Sequence, residues 1–165
     1  MARASIHVSD AGMKALLERT AHAKKTLIRA GIFAGPSREP ESHRGEVETE
    51  EAPLTNAEIG AVHEFGLGVP ERSFIRATVD KNRAFIEEKL RAIGGDLVNP
   101  RSTSEIREEA KKFGEWFVGA MKETIREHIE PPLAESTIKA KGSSTPLIDS
   151  GQLIASLTYD VGGAK

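Results

Sequence analysis

The chain contains no cysteine, so disulfides, thiolate nucleophiles and thiolate metal sites are excluded. It has no apolar run approaching the roughly 18 residues that a membrane-spanning helix requires. Met1 to Asp10 carries no apolar stretch of the kind a signal peptide needs. Both features lead us to expect a protein made and used in soluble form. Aromatic residues are scarce: one tryptophan, one tyrosine and six phenylalanines. They are not interleaved with arginine as a stacking platform for single-stranded nucleic acid requires. A surplus of positive charge is missing too, since 23 basic and 25 acidic residues leave a formal charge of −2. No global field is present to neutralise phosphates, which disfavours sequence-specific DNA binding.

What is present suits one domain spanning residues 1–165, because domains usually run on the order of 100 to 150 residues. Apolar residues make up 38% and charged residues 29%, enough for one modest core beneath a heavily solvated surface. No internal repeat is visible, which argues against a solenoid.

Punctuation along the chain marks the elements. Asp10 can cap a short amphipathic helix with Met13, Leu16 and Leu17 on one face, ending near His22. Thr26 to Ala34 is β-branched and apolar and stops at Gly35-Pro36, as a core strand does. Residues 35–53 hold six glutamates, two arginines, three prolines and a single large apolar residue, Val47. That composition reads as a flexible acidic loop or a long hairpin. Thr55-Asn56-Ala57-Glu58 matches a capping box, followed by Ile59, Val62 and Phe65 on one face and Gly66 as a stop. Ser73 to Val79 is either extended or the entry to a helix from about Asp80 to Ile93, with Phe85, Ile86, Leu90 and Ile93 as its buried stripe.

A second capping box, Ser102-Thr103-Ser104-Glu105, opens the longest pattern. Ile106, Ala110, Phe113, Phe117, Ala120, Ile125 and Ile129 follow at near-heptad spacing. They predict a helix of about 25 residues, roughly 37 Å long, stopped by Pro131-Pro132. Beyond it lie a helical turn at Glu135 to Lys139, a turn capped by Asp149 or Ser150, and an alternating strand from Leu157 to Val161. The expected fold is α+β: a small, mainly antiparallel sheet of the Thr26–Ala34 and Leu157–Val161 strands, packed on one face by the long helix, with shorter helices around it.

Catalytic parts are hard to assemble from these residues. His63-Glu64 sits on a helix as in metalloproteases, but the second ligand position is Leu67, beyond the helix stop. The other histidines lie far apart. No glycine-rich loop precedes a helix in the manner of a phosphate cradle. Ser150 lacks the Gly-x-Ser-x-Gly context, and no histidine follows it.

Two blocks carry a resemblance. Ala57-Glu58-Ile59-Gly60-Ala61-Val62-His63-Glu64-Phe65-Gly66, followed by Val69-Pro70-Glu71-Arg72-Ser73-Phe74-Ile75-Arg76, resembles the signature of tail-completion and virion-morphogenesis proteins of Mu-like and related tailed phages. Pro131-Pro132-Leu133-Ala134, Thr137-Ile138 and Pro146-Leu147-Ile148-Asp149-Ser150-Gly151-Gln152-Leu153 are similar to the ending of the same family. The blocks stand in the family's order and spacing.

The resemblance implies a structural virion protein of the phage neck that completes the tail and joins it to the head. It implies a homo-oligomeric ring of about six copies around the DNA channel. Its partners would be the tail terminator or tail tube and the head connector, with DNA only passing through the lumen. Such a protein is made in the host cytoplasm, ends in the virion, meets no membrane, and has no cofactor and no catalytic or metal-binding residue. The residues implied in subunit or partner contacts are Glu64, Phe65, Gly66, Pro70, Arg72, Ser73, Phe74, Arg76, Pro146, Leu147, Asp149, Ser150 and Gly151. In this reading Gly66 allows a left-handed helix exit, Phe74 anchors the bend in the core, and Arg72 and Arg76 remain available to a neighbour. A tail terminator is the nearest alternative, and a metal-dependent hydrolase using His63 and Glu64 the remote one.

Overall fold

A computed structural model describes Lys14 and residues 26–34, 54–94, 101–127, 129–142, 144–148 and 150–163. The proposed helix at 10–22, apart from Lys14, and the acidic segment at 35–53 lie outside the described residues, as does Asp149.

Strands β1 (Thr26–Ile32) and β2 (Leu157–Gly163) join the two ends of the described chain in one antiparallel ladder. The register pairs Ile28 with Val161, Ala30 with Tyr159 and Ile32 with Leu157. Because side chains alternate along a strand, these six share one face, and that face meets the helices. The opposite face carries Leu27, Phe33 and an ion pair between the register partners Arg29 and Asp160.

Helices α1 (Asn56–Phe65), α2 (Phe74–Lys81), α3 (Arg83–Gly94), α4 (Thr103–Arg126), α5 (Glu135–Lys141) and α6 (Gln152–Ala155) complete the described fold, one α+β domain. None of the described helices is long and apolar enough to cross a membrane. Both capping boxes form as the sequence predicts. The Thr55 and Ser102 hydroxyls accept from the Glu58 and Glu105 amides, and each glutamate takes the N–H of its cap residue at 2.7 Å.

The long helix α4 is the floor of the domain. Its buried row is Ile106, Ala110, Gly114, Val118, Met121, Thr124 and Ile125. The sequence pattern placed Phe113, Phe117 and Ala120 on that face; the structure rotates them to its flank, where they are only partly buried. The reason is close approach. A Cβ at Gly114 would lie 2.3 Å from Tyr159 Cδ2, so the sheet rests its tyrosine ring on the bare backbone there. Ala110 and Gly114 thus lie in the contact row, and the larger rings fall to the side. The Tyr159 hydroxyl, reaching past the helix, donates to Glu115 at 3.0 Å.

Several boundaries differ from expectation. The helix expected from Asp80 to Ile93 is two helices, because Asn82 leaves helical geometry (φ −113°, ψ 15°) and its side-chain amide donates to the Thr78 carbonyl. The stripe expected to be buried there is not: Phe85 is 38% and Leu90 46% exposed, and only Ile93 is buried. The long helix ends at Arg126 with Glu127 as its cap, ahead of the prolines. The Glu130–Pro131 peptide is cis. The cap position of the turn before β2 is held by Gly151, at φ 80°, and not by Ser150. Just before it Pro146 is fully buried and Leu147 adopts φ 62°, a left-handed conformation that costs a non-glycine residue on the order of 1 kcal/mol or more.

Candidate functional site

The segment between α1 and α2 is a corner built by two buried charged side chains. At the end of α1, Gly66 takes φ 65° and ψ 38°, and the N–H of Leu67 donates to the Val62 carbonyl at 2.9 Å. This is the left-handed exit expected of that glycine. No larger residue fits readily, since an added Cβ would press on the Glu71 backbone at 3.2 Å. The loop then closes when the Arg72 N–H donates to the His63 carbonyl at 2.8 Å.

Glu64, only 6% exposed, points from the last turn of α1 at the first turn of α2. One carboxylate oxygen accepts from the Ser73 hydroxyl (2.9 Å) and the Arg76 amide (3.0 Å), the other from the Ile75 amide (2.9 Å). A helix N-terminus has orphan amides and partial positive charge, so a carboxylate there satisfies both. Ser73, the formal cap of α2, makes no side-chain cap bond of its own, and Glu64 substitutes for it. The residue that sequence motifs offered as a metal ligand or base is thus engaged on all sides by its own chain.

Arg72 is 5% exposed. Its Nε donates to the Pro131 carbonyl at 2.9 Å and its Nη2 to the Pro132 carbonyl at 3.3 Å. The expectation that Arg72 stays available to a neighbour is therefore corrected. A planar fork of donors reaches two successive carbonyls where lysine would offer a single point charge. Arg76, by contrast, is exposed and pairs with Glu71 at 2.7 Å.

Beyond the corner, Phe74 is fully buried and enters the cluster of Val118, Met121, Ile125 and Leu157, as the sequence predicted. At Gly60 an added Cβ would meet Ile32 Cδ1 at 2.9 Å, Leu153 Cδ1 at 3.8 Å and Phe74 Cζ at 3.9 Å. Helix α1 is thus seated directly on β1, α2 and α6. The two blocks separated in sequence meet here, through Leu153 against α1 and through Arg72 on Pro131 and Pro132.

What the corner shows to solvent is apolar. Phe65 is 62% and Leu67 60% exposed on either side of Gly66, and Pro70 is exposed as well. Of the other residues implied in contacts, Ser150 is exposed, while Gly66, Ser73, Leu147 and Gly151 are half-buried. An open cleft of about 580 Å³ lies beside α2, walled by Arg76 with Glu71 and by Lys81, whose ammonium contacts Glu127 at 2.6 Å. Among the described residues no three His, Asp or Glu side chains stand together as a metal-binding group. Comparison of the chain with protein-family models, curated proteins and solved structures finds no match.

Sequence reasoning missed the structural work of Glu64 and Arg72. The available signal was weak: a glutamate in the last turn of one helix and an arginine just before another, with no strong cap residue engaged between them.

Proposed function

We propose that the chain is a non-enzymatic structural subunit of a tailed-phage particle, acting in the neck to complete the tail and join it to the head, as a ring around the DNA channel. One observation carries this reading: the two blocks that resemble the tail-completion family fold onto each other, Arg72 holding Pro131 and Pro132 while Leu153 packs against α1. Residues that form one interlocked unit are what a shared fold requires of them. The corner so formed is rigid and carries exposed Phe65 and Leu67, a disposition suited to docking another protein surface.

The test is genetic and visual. Infected cells lacking the chain should accumulate filled heads and finished tails of normal length that do not join, and labelled protein should be found at the neck of complete particles. Tails of uncontrolled length would mark a terminator instead and reject the joining role.

A further inference from the structure

Helix α3 is held to the domain far more lightly than its neighbours. Of its 12 residues only Ile93 is buried, whereas α4 buries seven of 24. A helix of about 12 residues is marginal in water without tertiary packing. Its exposed Arg91–Glu87 pair, 3.5 Å apart, adds little. Among the described residues, Ile93 packs with Ile106 and Ala110 near its end, and the Phe85 ring lies on Trp116 near its start, centroids 4.4 Å apart.

The preceding helix is firmly pinned. Glu64 caps its start, the buried Thr78 and Thr124 hydroxyls lie 2.8 Å apart, and Lys81 reaches Glu127 at its end. These tethers end at Lys81, and helical geometry breaks at the next residue, Asn82. A cleft of about 270 Å³ lies beside this joint, bordered by Asn82, Trp116 and Gly119. On α4 the rings of Phe113, Trp116 and Phe117 form a three-membered cluster with pairwise centroids 5.7 to 6.2 Å apart, and Trp116 is the member that Phe85 of α3 covers.

We propose that α3 is a detachable strap that swings off α4 as a unit about Asn82, with Ile93 as its latch, and so uncovers the Trp116 ring.

Hydrogen exchange of the full chain, read by mass spectrometry, tests this directly. Amides of 83–94 should exchange through a local opening, about ten-fold or more faster than those of 110–125, because lightly packed units open below the global barrier. Ile93→Ala should accelerate 83–94 by about a further ten-fold while leaving 110–125 unchanged. Acrylamide quenching of Trp116, the chain's single tryptophan, should rise in the same variant. Equal exchange of the two helices in the unmodified protein, or equal acceleration of both by Ile93→Ala, would overturn the proposal.

Discussion

Glu64 illustrates how far a residue's role depends on what lies opposite it. Three donors converge on its carboxylate in a nearly dry site, and two of them are amides in the first turn of α2. Glu64→Gln keeps the shape but replaces one acceptor oxygen with a donor group facing those N–H and O–H groups. Hydrogen bonds to charged partners contribute about 1.5–3 kcal/mol each net, so the variant should lose about that amount of stability in urea titration. A loss below about 0.5 kcal/mol, the size of ordinary surface changes, would show that the contact is not the cap of α2. Gly66 and Phe74 were legible in the sequence, because a glycine stop and an aromatic after a bend have local meanings. Glu64 and Arg72 were not, because their partners are set by the return of the chain 9 to 60 residues away.

Among the elements, those with local start signals were the most legible. Thr55-x-x-Glu58 and Ser102-x-x-Glu105 satisfy their own caps within one turn, so no tertiary information was needed. The division of α2 from α3 was invisible for the opposite reason: Asp80, Lys81, Asn82 and Arg83 all tolerate a helix, and the break follows from α2 being tethered to α4. The caps also give a pH dependence. The backbone hydrogen bond from Thr55 holds the Glu58 carboxyl below its ordinary 4.5, and the Ser102 side-chain bond does the same for Glu105. A group whose pKa is depressed by folding stabilises the native state fully above its unfolded pKa and progressively less as the pH falls through the folded one. Both helix starts should therefore weaken below about pH 4.5, seen as falling far-UV circular dichroism. Glu108 and Glu109 shift the same way through Lys111 and Lys112, so the caps must be isolated by comparison. A Glu58→Ala, Glu105→Ala protein should lose helicity less steeply with acid, and an unchanged slope would assign the effect elsewhere.

For the whole molecule, the arrangement separates the residues that hold the fold from those free to meet another protein. Arg72 ties the corner to the segment after α4 across 59 and 60 residues of chain, so Arg72→Ala removes a buried guanidinium and both of its bonds to the carbonyls of the exposed Pro131 and Pro132. Hydrogen bonds from a charged donor contribute about 1.5–3 kcal/mol each net, and the packing of the buried arginine stem is lost with them. That variant should fail by folding: a lower urea midpoint, more rapid proteolysis and less soluble subunit. Phe65 and Leu67 sit a few residues away on the same corner with most of their surface in water, so replacing both with serine removes apolar area that the fold does not use. The Phe65→Ser, Leu67→Ser protein should keep the parent's urea midpoint within about 0.5 kcal/mol, the usual range for surface changes. If the proposed neck role holds, it should nonetheless leave heads and tails unjoined, because the apolar docking surface is gone. Complementation of a deletion in infected cells, scored beside the urea titration of each purified variant, distinguishes the two modes of failure. A serine variant that folds and joins particles at the parental level would remove this corner from the docking surface, whatever the fate of Arg72→Ala.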